Sequence, residues 1–230
     1  MSASSVSREN FALTDEQRRQ LAAILDLLAT DEHAPSAVRA RGPAERVHVA
    51  DSLAALELAP VRSARCIADV GSGAGFPGLA LAVALPRARV ALIESQRRKC
   101  EFIARACADA GVGNARVICA RAEEWSEGMG RCELVLARAL AAQPVVLEYA
   151  APLLRAGGVL VDWRGRRERA EERRADRAAA VLGLERCEVR RVVPFEGATD
   201  RHLHVFAKRA QTPARFPRRA GVARKRPLGG

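Results

Sequence analysis

The sequence predicts an α/β fold built on a mostly parallel sheet, and three observations carry that prediction. After Pro60, short apolar runs alternate with segments of helical periodicity, the pattern of successive βαβ units. The runs are 66–70, 90–94, 115–119, 133–137 and 158–163, with helices expected near 77–85, 96–110, 143–154 and 166–182. Two further runs, 188–194 and 202–208, have only "FEGATDR" between them. That is too short for a crossover, so they form an antiparallel hairpin at the edge of the sheet. Third, the glycine-rich stretch "DVGSGAGFPG" (69–78) joins the first strand to the first helix of the alternating region.

Two helices precede this region. Thr14 to Gln17 has the capping-box form Thr-x-x-Gln, and Leu21, Ile24, Leu25 and Leu28 follow at helical spacing over about 16 residues. A polar stretch, 30–42, leads to Pro43, which suits the first position of a second helix with Val47, Ala50, Leu53, Ala54 and Leu58 on its apolar face. The expected organisation is an N-terminal helical segment (1–60) packed on a cofactor-binding core (61–209), then a basic tail (210–230). Pro, Gly and Arg dominate that tail, so it should be irregular and mobile.

With 49% apolar and 28% charged residues in 230, the chain can bury the core of one sizeable domain, which excludes disorder throughout. No apolar run approaches the roughly 18 residues of a membrane span, and the N-terminus lacks a secretory pattern, so a cytoplasmic location with no membrane partner is expected. Six cysteines, with no Cys-x-x-Cys pair and no histidine at ligand spacing, read as reduced core residues and predict no metal. The net charge of +11 is concentrated at the end: residues 208–230 hold eight basic side chains and no acidic one. A polyanionic partner is one reading, through counterion release; a solubilising tail is the other. The charge run 164–180 reads as a solvated helix face.

The glycine turn falls where open α/β sheets bind ligands, at the carboxyl end of a strand. Glycines at 71, 73 and 75 permit positive φ and close approach of a ligand to the backbone. Both a dinucleotide pattern and the pattern typical of S-adenosylmethionine (SAM) enzymes are satisfied. Pro77 removes an N–H where a pyrophosphate would seek one. Asp69, two residues ahead of the first glycine, can receive the positively charged methionyl end of SAM, directly or through water. Together with five strands and a reversed hairpin, this favours a Rossmann-like, seven-stranded class I SAM-dependent methyltransferase over an NAD-dependent oxidoreductase. Glu94, at the end of the second strand, can accept from ribose hydroxyls, or can stand as a solvated strand-end carboxylate. Ala122 and Glu123, after the third strand, lie where such enzymes grip adenine.

On "HVADSL" (48–53), "DVGSGAGFPG", "ESQRRK" (94–99), "RAEEW" (121–125), "RHLHVF" (201–206) and "RFPRRAGVARKRPL" (215–228), the chain resembles the RsmG (GidB) family of 16S rRNA guanine-N7 methyltransferases. The likeness runs from about residue 44 to the end. It implies methyl transfer from SAM to N7 of a guanine in the 530 loop of small-subunit rRNA, with SAM contacts at Gly71, Phe76, Ala122 and Glu123 and with Arg138 lining the site. Arg138 is expected to bind the RNA backbone or the SAM carboxylate; its alternative is a structural ion pair with Asp51 or Glu94. Arg164 and the tail residues Arg215, Arg218, Arg219, Arg224, Lys225 and Arg226 are expected to hold RNA phosphates. His48, Asp51 and Ser52 read either as a half-buried cluster bracing the turn or as part of the substrate pocket. The family's usual Asn-Leu-Thr motif is replaced here by "TDEHAPSAVRARGPAERV" (30–47). Other classes kept in view are a methyltransferase with another RNA target and a non-catalytic RNA-binding protein. A monomer is expected.

Overall fold

The computed structural model describes residues 12–230. Helix α1 (Asp15–Thr30) starts at the predicted capping box: Thr14 Oγ1 accepts from Gln17 N–H at 3.2 Å, and Gln17 Oε1 accepts from Thr14 N–H at 2.9 Å. The same Gln17 side chain donates to Val83 O at 2.8 Å, so the cap also fastens α1 to the core.

The second predicted helix is a composite. An α turn, α2 (Arg41–Ala44), runs into a π-helical turn over Glu45–Ala50, then α3 (Asp51–Leu53), a 3-10 turn (Ala54–Glu57) and α4 (Ala59–Ser63). The π turn carries His48, and such wide turns often place a side chain at a functional site.

Seven strands follow: β1 (Cys66–Val70), β2 (Arg89–Glu94), β3 (Ala115–Cys119), β4 (Cys132–Arg138), β5 (Leu154–Arg164), β6 (Leu184–Arg191) and β7 (His202–Lys208). Their order is β3-β2-β1-β4-β5-β7-β6, with β1 to β5 parallel and β7 antiparallel to both β5 and β6. This is the predicted sheet with its closing hairpin. β5 begins at Leu154, earlier than the apolar run suggests, because its glycine-containing start still pairs: Leu154 lies opposite Cys132 before a register shift.

The intervening helices are α5 (Gly78–Ala84), α6 (Arg97–Asp109), α7 (Gln143–Ala150) and α8 (Arg169–Leu182). On one face, α1, α5, α6 and the composite helix bury Leu21, Ile24, Leu81 and Phe102; on the other, α7 and α8 bury Leu147, Ala178 and Phe206. Each fully buried leucine, isoleucine or phenylalanine contributes roughly 1.5–3 kcal/mol, so the N-terminal helices are part of the core and not an appendage. The cysteines divide. Cys100 and Cys132 are buried as expected, whereas Cys119 and Cys187 are exposed, because they occupy outward positions on the outer strands β3 and β6.

Candidate functional site

Between β1 and α5 the chain reverses through 71–77 and satisfies its own amides as it does so. Gly71 and Ser72 N–H donate to Ile93 O at 2.8 and 3.0 Å, and Gly75 N–H donates to Ser72 O at 2.7 Å. Gly71 takes a φ of +74°, the left-handed region that favours glycine. At Gly78 the requirement is room: a Cβ would lie 2.3 Å from Leu92 Cδ2 and 2.7 Å from Asp69 Oδ2.

Two carboxylates brace this turn from the strand ends. Asp69 Oδ2 accepts from Gly78 N–H at 2.9 Å. Glu94 accepts from Gly73 N–H at 3.2 Å through Oε2 and from Gln96 N–H at 2.8 Å through Oε1. Asp69 was expected to meet the methionyl end directly or through water, and its place under the turn is compatible with the second form only. It is 1% exposed and does not line the cavity above the turn, because the first amide of α5 draws its carboxyl beneath the turn. Its Oδ1 is buried without a partner, and burial pushes the carboxyl pKa up to about 7.

The cavity above the turn measures about 370 Å³, within the usual range for a small-molecule site. It opens over β1 and β4, where the strand order reverses. Gly71, Gly73, Phe76, Glu94, Ala122, Glu123 and Arg138 all line it, as the sequence reading expected. The sequence did not point to Ser36, Leu140 or Tyr149, which line it as well, and Arg224, expected to hold RNA phosphate, also lines it.

A buried network closes one wall. The His48 ring stacks on Phe76 with centroids 5.0 Å apart and planes at 15°. His48 Nε2 lies 2.9 Å from Ser36 Oγ and 3.1 Å from Val38 O, and Nδ1 lies 3.4 Å from Arg138 Nη2. These partners assign the proton to Nε2 and turn the Nδ1 lone pair toward the guanidinium. Burial, then the charge of Arg138, hold the imidazole pKa below its ordinary value. Arg138 Nη1 donates to Val47 O at 3.0 Å and to Asp51 Oδ2 at 2.9 Å, while Trp163 Nε1 donates to Asp51 O at 3.0 Å. The structural alternative for Arg138 is thus present with Asp51, and the residue still faces the cavity. The His48, Asp51 and Ser52 cluster is buried more deeply than expected, with only His48 reaching the cavity.

The donor set fits SAM better than a dinucleotide. A pyrophosphate would meet the Glu94 and Glu123 carboxylates and a helix N-terminus whose Gly78 amide is already bonded to Asp69, which removes the usual anion site.

The family model for rRNA small subunit methyltransferase G (GidB) matches residues 17–204. The chain belongs to this family. A ribosomal RNA small subunit methyltransferase G from Rubrobacter xylanophilus is 43% identical over 189 residues, covering 80% of this chain and 72% of that protein. One from Synechococcus elongatus is 35% identical over 221 residues, covering 93% and 91%. Among solved structures, Aeropyrum pernix fibrillarin with natively bound SAM superposes with a TM-score of 0.55 at 20% identity, over 68% of this chain and 72% of that one, which is a likeness of fold.

In this member of the methyltransferase G family the basic tail is docked, although most of its backbone is irregular as expected. Phe216 and Ala223 are buried against the α7–α8 face, and a short helix, α9 (Val222–Lys225), forms. Gly221 N–H donates to Glu123 Oε1 at 3.1 Å, and Arg224 Nη2 donates to Leu140 O at 3.1 Å, so the tail completes the cofactor cavity. An apolar anchor and paired arginines outweigh the composition that predicted mobility. The expected phosphate-binding arginines separate accordingly. Arg218 is taken up by Glu148, which is 1% exposed, through a two-pronged pair led by a 2.7 Å bond from Nε. Arg164 Nε is bonded to the buried Asp162 at 2.6 Å. The Arg218 fork is thereby occupied, whereas Arg164 keeps Nη2 without a partner. Arg215, Arg219, Lys225 and Arg226 remain exposed, with Arg215 lying over the Phe216 ring at 5.2 Å.

Proposed function

We propose that this protein transfers the methyl group of SAM to N7 of a guanine in the 530 loop of 16S rRNA, acting as a cytoplasmic monomer that needs no metal. The observation that carries the reading is the acid-braced, phosphate-excluding turn, set in a cavity that also holds Arg138 beside a buried counter-ion. When bound, SAM supplies an electrophilic sulfonium methyl. Guanine N7 has a lone pair and no proton, so the chain has no proton to remove and its task is alignment, worth roughly 7–11 kcal/mol in good geometry.

The residues divide that task. Glu94 and Glu123 present carboxylates to the cofactor's polar groups, Ala122 its backbone, and Phe76 a ring held flat by His48. The methylated base is cationic, and an unpaired arginine beside it would oppose the reaction. Asp51 neutralises Arg138 at 2.9 Å, so this arginine can orient an anionic group without that penalty.

Calorimetry should give SAM binding and no NAD binding; the reverse result overturns the cofactor assignment. Methyl transfer to small ribosomal subunits, followed by mapping of N7-methylguanine, should mark a single position in the 530 loop. A mark elsewhere would assign the enzyme another RNA target. Replacing exposed Arg219, Lys225 and Arg226 by glutamine should lower the slope of log affinity against log salt by about 2 while sparing SAM binding. An unchanged slope returns the tail to a solubilising role.

A further inference from the structure

A second cavity lies beside the first, on the same carboxyl edge of the sheet, and of the residues assigned to cofactor or phosphate only Arg164 lines it. It measures about 270 Å³ and is walled by the end of β5, the start of α7 and the start of α8. Ala142 and Gln143 line it, and Arg138, Ala139 and Leu140 of the same loop line the cofactor cavity, so one short segment separates the two. At its base lies His204, 3% exposed, whose Nδ1 and Nε2 both lack a hydrogen-bond partner. Arg164 Nη2, also lining the cavity, is buried without a partner as well. Unpaired buried donors and acceptors cost about 1–3 kcal/mol each, so a histidine left with two open nitrogens points to a ligand.

The chemistry of that ligand follows from the charges around it. Arg167 is paired to Glu172 at 2.6 and 2.8 Å, Arg164 to Asp162 at 2.6 Å, and Arg186 to Glu172 at 3.2 Å, while Arg166, Glu168 and Glu171 also line the wall, so the lining charges cancel. An added phosphate would unbalance this cluster. Burial pushes the His204 pKa down to about 4, so the ring is neutral at physiological pH and presents one donor and one acceptor. A phosphate has only acceptors and would leave the ring's lone pair unmet. A nucleobase edge offers a donor beside an acceptor, and the volume suits a single base.

We propose that this cavity takes an unstacked base of the RNA substrate next to the methylated guanine, read by His204 and Arg164. The proposal rests on the rRNA methyltransferase reading, and its test separates the two. His204→Phe should fold with an unchanged or higher melting temperature and bind SAM as the wild type does. Its KM for small ribosomal subunits should rise about tenfold with kcat retained. His204→Gln, which keeps a donor and an acceptor, should recover part of that loss. With rRNA fragments abasic at single flanking positions, one position should cost the wild type about tenfold in kcat/KM and cost His204→Phe nothing further. Unchanged KM in His204→Phe, or equal response of both proteins to every abasic fragment, would mean that the cavity holds water only and would overturn the proposal. Loss of folding or of SAM affinity in His204→Phe would also overturn it, as a structural role. If the wild type methylates no small-subunit RNA, the function reading fails. Fluorescence anisotropy with the same intact and abasic fragments then decides the cavity on binding alone: equal affinity of the two proteins for all fragments rejects it.

Discussion

Asp51→Ala is expected to destabilise the protein by about 3 kcal/mol and to lower methyl transfer on the order of a hundredfold. The Asp51 and Arg138 side chains are 7% and 15% exposed, so removing the carboxylate leaves a guanidinium buried without its counter-charge. Arg201, 3.6 Å from Asp51 Oδ1, loses its partner in the same step. The pair also joins the composite helix to the end of β4, which holds the His48 wall of the cavity in place. Urea unfolding gives the stability term as a fall in midpoint at constant slope. Replacing both residues by leucine should restore most of the stability, since a buried pair is often matched by apolar packing, but none of the activity. A loss below about 0.5 kcal/mol in Asp51→Ala would place the pair among surface ion pairs of little consequence.

Asp69→Asn should reshape the pH dependence of stability. The carboxyl ionises at 3.8 when exposed and at about 7 in the folded protein, so between these values the native state holds a proton that the unfolded state has released. Stability contributed by this group is therefore unchanged below about pH 4, falls as pH rises, and levels off above the folded pKa at a deficit of about 4 kcal/mol. Asparagine keeps an oxygen for the Gly78 amide and cannot ionise, so the variant should match the wild type in acid and exceed it at about pH 8. Identical urea midpoints for the two proteins from acid to pH 8 would sink this account. SAM affinity is a separate readout of a water-mediated contact from Oδ1 to the methionyl end: Asp69→Asn should weaken it roughly tenfold, and unchanged affinity would leave the carboxyl serving the turn alone.

What the amino-acid order determined by itself is whatever depends on near neighbours in the chain. Thr14 and Gln17 cap α1 because they lie three residues apart, and the apolar alternation from Cys66 onward specifies strands and helices because each element must bury one face. The turn at 69–78 was legible for the same reason, since its glycines, Asp69 and Gly78 fall within one reversal. Only the tertiary structure decided what each charged side chain does, because those partners are brought together by packing. Arg138 meets Asp51 across 87 positions, Arg218 meets Glu148 across 70, and Gly221 reaches Glu123 across 98. A tail that reads as mobile by composition is held because Phe216 finds an apolar socket and a buried carboxylate awaits an arginine. The open nitrogens of His204 were likewise invisible in sequence: an unmet hydrogen bond is a property of everything that surrounds a group, and the chain order names only the group.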